Sequence, residues 1–373
     1  MAGQVADREL TGVRFARATE TDEAGIRRLL RENPMPGAIS LTLEREPDYF
    51  RGADLAGAGD ETIVAVENER VICMGRCSTR LAWVNGRATR VGYLAELRLD
   101  AAAHGRFALL RDGYRFFAEQ RDPAVELHFT SIAADNERAR RLLERGVRGL
   151  PRYSYLADLA TVLIAVPRHP RAPALRVQPA TAEDIPEIVR LLNEHARRHQ
   201  LAAVWSAEML TGLERHGLPL RDFSLVKDGG ALVACGALWD QRAFRQTVIR
   251  GYSRRLAVLR PWMNAASRLF DTPRLPPASA ALAHAFLSPL ALARDADPLL
   301  PDLVAAFFPQ AAARGLEFVT LALPASDPRL PALRRAFTTQ TWQSRLYRVD
   351  WPEPASRVPF DSSLPCLPEV AFL

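Results

Sequence analysis

The chain has 373 residues, more than a single hydrophobic core usually supports, so two domains are expected. Hydrophobic residues make up 48% and charged residues 25%, no apolar run is long enough to span a bilayer, and the first residues lack the pattern of a signal peptide. The net charge of +6 comes almost entirely from arginines dispersed among acidic residues, which does not favour nucleic-acid binding.

The cysteines are few and scattered along the chain. Cys73, Cys77, Cys235 and Cys366 fit neither a disulfide framework nor the spacing of a zinc site. We therefore expect a reduced, cytoplasmic protein without a metal site and without membrane contact.

Two segments of the chain resemble each other. Residues 13–32, "VRFARATETDEAGIRRLLRE", align without a gap with residues 175–194, "LRVQPATAEDIPEIVRLLNE". In each segment an extended stretch ends in Ala-Thr, and the threonine can cap a helix with an acidic first turn and one apolar face. The pattern predicts a strand followed by a capped amphipathic helix in both places, and therefore two copies of one fold.

Further elements of the first copy follow from periodicity and turn residues. They are strands at 62–68, 70–84 and 88–99, a hairpin turn at Asn85-Gly86, a helix at 107–120, a strand at 124–133, a helix at 135–146 that Asp135 or Asn136 caps, and a strand at 152–166. This order predicts an α+β fold whose mixed sheet has both antiparallel and parallel pairs.

A short turn, Ala103-His104-Gly105-Arg106-Phe107, joins the strand at 88–99 to the next helix. One interpretation is an ordinary strand-to-helix connection with its polar side chains in solvent. The other is a site where backbone N–H groups at a helix start bind phosphate and Arg106 adds a charge. The residues alone leave both interpretations open.

The second copy differs from the first at the corresponding turn. Asp295 and Asp297 stand near the start of a helix, where carboxylates would repel a phosphate, so this copy is predicted to be non-catalytic. An insertion at 251–277 carries apolar residues at helical spacing and predicts an amphipathic helix. We expect that helix to cover the core or the seam between the two domains.

The predicted domain organisation follows from the repeat. An N-terminal domain at 1–166 is followed by a linker rich in proline and arginine at 167–174 and by a C-terminal domain at 175–351. The proline-rich tail at 352–373 is expected to be loosely held.

The order of elements, the turn before the helix and the start Asn136-Glu137-Arg138-Ala139 of the next helix resemble the GNAT acyltransferase superfamily. The resemblance covers nearly all of 13–166, and in the second half it is clear only at the first strand and helix. It implies two GNAT-like domains in tandem, the second degenerate, each with a mixed central sheet flanked by helices.

The resemblance also implies an activity. Members of the family are N-acetyltransferases and related acyltransferases that use acetyl-CoA or another acyl-CoA. A small-molecule or peptide amine would be the acceptor, no nucleic-acid partner is expected, and a homodimer is left open. The resemblance implies direct transfer of the acyl group from CoA to the amine.

Family correspondence also assigns the candidate site residues. The loop after the central strand takes the pyrophosphate of acyl-CoA in the family, and the helix-capping asparagine approaches its pantetheine arm. The implied cofactor contacts are Leu97, Leu99, His104, Gly105, Arg106, Phe107, Ala108, Leu109 and Asn136.

Three residues are candidates for the chemistry. Glu96, in "YLAELRL", is a candidate general base, and burial in the cleft is expected to raise its pKa. Tyr153 and Tyr155 are candidates to protonate the departing CoA thiolate.

The sequence departs from the family pattern at three positions. Phe107 and Leu109 stand where the family has glycines, and Leu143 stands where it often has a tyrosine. These departures favour an alternative, a catalytically silent GNAT-fold protein with a binding or regulatory role.

Overall fold

The computed structural model describes residues 8–10, 12–55, 59–266, 274–351 and 358–373. Its strands are β1 (Arg8–Leu10), β2 (Val13–Arg17), β3 (Ile39–Glu44), β4 (Gly59–Glu67), β5 (Arg70–Val84), β6 (Arg87–Leu99), β7 (Leu127–Ala133), β8 (Arg152–Ala165), β9 (Gln178–Pro179), β10 (Ala202–Ala203), β11 (Phe223–Asp228), β12 (Ala231–Trp239), β13 (Gln246–Tyr252), β14 (His284–Leu292), β15 (Phe318–Pro324) and β16 (Thr339–Asp350). Its α-helices are α1 (Glu23–Glu32), α2 (Phe107–Gln120), α3 (Glu137–Glu144), α4 (Ile185–Ala196), α5 (Ala207–Gly212), α6 (Arg254–Ala266), α7 (Leu300–Ala306), α8 (Phe308–Ala313) and α9 (Leu330–Ala336).

The sequence repeat corresponds to a repeated strand and helix. The backbone N–H of Thr19 donates to the Asp22 carboxylate at 2.9 Å, and that of Thr181 donates to Asp184 at 2.8 Å. Each pair forms a capping box on a short 3-10 turn that leads into α1 or α4. The apolar faces of both helices are buried: Ile26, Leu29 and Leu30 in α1, and Ile188, Leu191 and Leu192 in α4. The predicted strand–helix repeat is confirmed.

Within the described residues, both halves of the chain contribute to one 14-stranded mixed sheet. Its order is β1-β2-β4-β5-β6-β7-β16-β8-β15-β14-β12-β11-β9, with β10 beside β5, while β3 and β13 form a separate two-stranded sheet. The parallel pairs are β6 with β7 and β14 with β15, one in each half, and the remaining pairs are antiparallel. The α+β architecture with a mixed sheet is confirmed.

The last strand of each half, β8 or β16, pairs with a strand from the other side of the predicted domain boundary. β16, the last strand of the second half, pairs with both β7 and β8, and β8 in turn pairs with β15 of the second half. No local pattern in the sequence predicts this exchange, because strand propensity does not specify which strand pairs with which. The boundaries near residues 166 and 175 remain a prediction, since a continuous sheet passes through that point.

The tail is held more firmly than predicted. Within its described part, residues 358–373, Cys366 and Phe372 are buried. The Phe372 ring centroid lies 5.8 Å from that of Trp205 and 6.0 Å from that of Trp239. The expectation of a loose tail is wrong for these residues, because Phe372 completes a core cluster of the second half and Cys366 packs in another cluster with Leu159 and Leu346.

The inserted helix α6 forms where it was predicted but does not cover a core. None of its residues is buried, and Val258, Leu259, Trp262 and Met263 are all exposed. The packing expectation is therefore wrong, because helical spacing defines an apolar face without showing what lies against it. The rest of the insertion at 267–273 lies outside the described residues. None of the helices in the described part of the chain has the length and hydrophobicity to cross a membrane.

Replacement of Phe372 tests how much the tail contributes to stability. We expect Phe372→Ala to lower the free energy of unfolding by about 3–5 kcal/mol, because a buried aromatic side chain is lost and a cavity remains. Urea denaturation followed by circular dichroism measures the change. The control is Leu81→Ala, at a leucine that is 49% exposed, which should cost less than about 0.5 kcal/mol. Equal effects of the two substitutions would contradict a packed tail.

Candidate active site

The parallel strands β6 and β7 separate partway along their length. Residues 91–94 of β6 pair with residues 127–130 of β7, and the Thr130 hydroxyl donates to the Leu94 carbonyl at 2.7 Å at the last paired position. Beyond it, residues 131–133 pair with β16 and residues 98 and 99 pair with β5. Within the described residues, the edges of β6 and β7 that face each other here have no strand partner, so the sheet opens in a V.

A β-bulge lies at the start of this opening. Two residues of β6, Glu96 and Leu97, stand opposite the single residue Gly75 of β5. Glu96 has a φ of +54°, in the left-handed region that non-glycine residues adopt uncommonly. Bulges redirect side chains and increase local twist, which accounts for the change in the course of β6 where β7 leaves it.

A cavity of about 280 Å³ lies at the opening. Its wall toward α2 is apolar and is formed by Phe15, Ile63, Ala65, Cys73, Leu94, Leu97, Leu109, Gly113 and Phe117. The rest of the cavity lining carries charged and polar side chains, among them Arg76, Tyr93, Glu96, Arg98 and Arg245. The arrangement combines an apolar chamber with a small number of polar groups, as small-molecule sites commonly do.

Glu96 is held by arginines from three parts of the chain. Arg45 Nε donates to Glu96 Oε1 at 2.8 Å, the Tyr49 hydroxyl donates to Oε2 at 3.1 Å, and Arg76 Nη1 lies 3.6 Å from Oε1. Burial alone would raise the pKa of Glu96, but the charges of Arg45, Arg76 and Arg245 outweigh it and lower the pKa to about 2. The expected rise in pKa is therefore wrong, because the sequence did not show these arginines as neighbours.

Other titratable side chains that line the cavity also have pKa values shifted from their ordinary values. Burial raises the pKa of Tyr93, and it raises the pKa values of Tyr114 and Cys73 to about 12. Burial, with the nearby charges of Arg45 and Arg76, lowers the pKa of Arg245 to about 9. The lining contains no histidine. Among the described residues, no group of three potential ligands is arranged to hold a metal ion.

The two candidate tyrosines lie in different surroundings. Tyr153 lines the cavity, and its hydroxyl oxygen is 2.6 Å from that of Tyr114. Burial and the neighbouring Tyr114 raise the pKa of Tyr153 well above its ordinary value, so the phenol stays protonated. Tyr155 is 53% exposed and packs against Tyr347, outside the cavity lining.

The turn before α2 is a folded structure rather than an open loop. Gly105 has a φ of +88°, which suits glycine, and Arg106 forms two hydrogen bonds of 2.8 Å with the Glu67 carboxylate. The N–H groups of Gly105 and Ala108 make no backbone hydrogen bond within the described residues. They remain available at the start of α2, as is usual for a helix N-terminus.

The residues predicted to contact the cofactor form two groups, one that lines the cavity and one that lies in or beside this turn. Leu97, Leu109 and Asn136 line the cavity. Asn136 also caps α3, accepting a hydrogen bond from the Ala139 N–H at 3.2 Å. The remaining predicted residues lie outside the lining, in or beside the turn: Leu99, His104, Gly105, Arg106, Phe107 and Ala108.

Several site residues were missed by the sequence analysis. Arg45, Arg76 and Tyr49 surround Glu96, and the second half supplies Arg245, which donates to the Ala371 carbonyl at 2.9 Å and to the main-chain oxygen of Leu373. No local pattern marks these residues, because each is an isolated residue far from Glu96 in the sequence.

No protein-family model and no curated protein sequence matches the chain. Among solved structures, it is similar to Saccharomyces cerevisiae N-myristoyltransferase with bound myristoyl-CoA, with 10% identity, a TM-score of 0.61, and coverage of 92% of this chain and 83% of that one. A GCN5-related N-acetyltransferase from Sphaerobacter thermophilus has 14% identity and a TM-score of 0.54 over 91% of this chain and 96% of that one. The predicted GNAT fold is confirmed, and the tandem arrangement fits that of the N-myristoyltransferase structure.

Replacement of Glu96 by glutamine tests the buried charge cluster. Glu96→Gln leaves Arg45 and Arg76 without their shared carboxylate, and loss of one partner from a buried pair costs about 3–5 kcal/mol of unfolding free energy at pH 7. The folded pKa of about 2 lies below the ordinary value of 4.5, so this stability is present above pH 4.5 and is lost as pH falls through 2. Urea denaturation at several pH values should show the two proteins converging in that range.

The matched control is Glu32→Gln, which removes an exposed carboxylate that pairs with Arg28. An exposed pair of this kind contributes about 0.5 kcal/mol. A loss no larger for Glu96→Gln than for this control would contradict the charge cluster.

Proposed function

We propose that the chain is an acyl-CoA-dependent N-acyltransferase that transfers an acyl group longer than acetyl to an amine. One observation carries the proposal: the opening between β6 and β7 leads into an apolar cavity lined by Leu97, Leu109 and Asn136. The proposal draws support from the GNAT fold, since the solved structures that share it include an N-myristoyltransferase with bound myristoyl-CoA and an N-acetyltransferase.

The opening has the chemistry that an acyl-CoA requires. The unpaired backbone groups of β6 and β7 suit the amide groups of an extended pantetheine arm, as an exposed strand edge suits a peptide. The free N–H groups of Gly105 and Ala108, at the start of α2, suit the pyrophosphate. Because Glu67 already holds Arg106, we assign the phosphate contact to the backbone rather than to this guanidinium. Acyl-CoA would supply an activated thioester.

The apolar wall favours an acyl group larger than the acetyl group predicted from the family. A cavity of about 150 Å³ is enough to hold benzene in another protein, and this one is about 280 Å³. Gly113 lies inside α2, where glycine lowers helix stability by about 1 kcal/mol relative to alanine. A Cβ at this position would meet only Phe15, at 3.6 Å, so close packing does not require glycine. We propose that Gly113 keeps the chamber wide for the acyl chain.

The proton transfers are assigned from the pKa directions. A carboxylate with a pKa of about 2 is a weak base near neutrality, so the predicted role of Glu96 as general base stays untested and we propose that it positions Arg45 and Arg76 instead. The acceptor amine would react in its neutral form. As the new C–N bond forms and the C–S bond breaks, Tyr153, which stays protonated, is proposed to donate its proton to the departing thiolate. The proton lost by the acylated nitrogen would then return to the Tyr153 oxygen.

The acceptor is proposed to be a small-molecule or peptide amine. The cysteines are free and buried, as expected for a protein in the reducing cytoplasm, the location we propose.

A series of acyl-CoA thioesters from acetyl to myristoyl tests the proposal and the role of Gly113. Wild type should release free CoA thiol in the presence of an amine, with a higher kcat/KM for longer chains. Gly113→Leu should lower kcat/KM for those chains at least about tenfold, since each buried methylene contributes about 0.8 kcal/mol, and should leave the acetyl substrate nearly unchanged.

The control for Gly113→Leu is Arg115→Leu, on the exposed side of the same helix. A preference for acetyl-CoA in the wild type, or an equal loss for every chain length in Gly113→Leu, would refute a long-chain chamber formed at α2.

Substitution of the two tyrosines separates the candidate acids. Tyr153→Phe should lower kcat about a hundredfold or more with little change in KM, because the positioned proton donor is lost. Tyr155→Phe removes an exposed hydroxyl outside the cavity and should leave kcat within about twofold. Steady-state kinetics with a saturating amine measure both, and equal kcat values for the two variants would remove Tyr153 from the mechanism.

The alternative, a silent GNAT-fold binding protein, is favoured by one observation. Glu96 has a pKa of about 2, and Arg245, Tyr114 and Cys73 have pKa values of about 9 to 12, so none of these four lining side chains is suited to accept the proton of an amine near neutrality. Calorimetry distinguishes the two candidates: acyl-CoA binding without thiol release across a panel of amines would support the silent protein.

A further inference from the structure

The exposed face of α6 is the largest apolar feature on the described helices that the proposed reaction does not use. Trp262 is 77% exposed, Val258 71%, Leu259 53% and Met263 47%. These four side chains, which we call the α6 face, lie together on the helix surface, because Val258 and Leu259 stand one turn before Trp262 and Met263.

The charges of α6 are all positive. Arg254, Arg255 and Arg260 belong to the helix, which contains no aspartate or glutamate. Arg254 and Arg255 occupy the first turn, where the helix dipole disfavours cations, and neither makes an ion pair or hydrogen bond with the described residues. Helix stability therefore does not explain these two arginines, and their charges are free to act on a partner.

The opposite side of α6 is anchored to the protein. Arg260 Nε and Asn264 Nδ2 both donate to the Leu275 carbonyl at 3.0 Å, and the Leu275 N–H donates to Asn264 Oδ1 at 2.7 Å. The Arg260 guanidinium also lies 5.4 Å from the centre of the Tyr252 ring. The helix is thus fixed with the α6 face turned outward.

We propose that α6 binds the surface of membranes that contain anionic lipids. The α6 face would enter the interface between headgroups and acyl chains, with Trp262 at the level of the headgroups, while Arg254 and Arg255 contact lipid phosphates. A second copy of this chain is a poorer occupant, because a two-fold contact between α6 helices would bring like charges together. The proposal does not depend on the acyltransferase activity.

Sedimentation of the full chain with lipid vesicles tests this surface. Wild type should bind vesicles of phosphatidylcholine with phosphatidylglycerol at about 0.1 M salt, and should release them as salt rises. It should not bind vesicles of phosphatidylcholine alone. Trp262→Glu should weaken binding at least about tenfold. The double variant Arg254→Ser, Arg255→Ser should do the same, since each arginine contributes about fivefold near an anionic surface.

Two controls match these variants in chemistry. Leu81→Glu places a charge at another exposed apolar residue, and Arg334→Ser with Arg335→Ser removes an adjacent pair of exposed arginines from α9. Both controls should bind vesicles as the wild type does. Equal losses in the controls and the α6 variants would overturn the proposal.

Tryptophan fluorescence gives a readout that does not depend on charge substitutions. The other tryptophans are buried or half-buried, so a blue shift on adding anionic vesicles should come from Trp262 and should be absent in Trp262→Phe. Failure of the wild type to bind anionic vesicles, or equal binding to neutral ones, would overturn the proposal. So would a wild-type dimer that ignores vesicles and that Trp262→Glu converts to monomer, which would assign the surface to a second copy.

Discussion

The separation of β6 from β7 is the constraint on which the rest of the site depends. Strands that stop pairing leave N–H and C=O groups without partners, and each such group costs about 1–3 kcal/mol if it is buried and unsatisfied. The sheet tolerates the gap because each strand keeps its outer neighbour, β5 for β6 and β16 for β7. The opening is therefore a stable feature of the fold that an extended ligand with amide groups can complete.

The second copy of the fold helps to build this opening even though its own turn carries Asp295 and Asp297. It supplies β16, which holds β7 on the far side, and Arg245, which faces the cavity near Glu96. The prediction of one active and one degenerate domain therefore leaves out the contribution that the second half makes to this opening. The second half has carboxylates at its corresponding turn, while its backbone and one of its arginines form part of the opening in the first half.

Local features were predictable from the sequence, whereas features that depend on distant residues were not. The residues of α2 and β5, the Asn136 cap and the candidate positions Leu97 and Leu109 follow from periodicity and from the family resemblance, whereas the sequence did not distinguish Tyr153, at the cavity, from Tyr155, outside it. The low pKa of Glu96, the exchanged strands β8 and β16 and the exposure of α6 depend on partners that no local pattern encodes. The sequence marked Glu96 as a candidate but predicted the wrong direction for its pKa shift, because Arg45, Arg76 and Arg245 come from three separate parts of the chain.

The excess of positive charge at the polar side of the cavity has a chemical consequence. Arg45, Arg76, Arg98 and Arg245 interact with Glu96, and Arg76 Nε also donates to the Asp60 carboxylate at 2.6 Å. Cations in a buried site disfavour an ammonium ion beside them and so lower the pKa of an entering amine. The field of these arginines would then deliver the amine in its neutral, nucleophilic form. A site arranged in this way has no need of a carboxylate with a raised pKa, and the low pKa of Glu96 becomes compatible with acyl transfer.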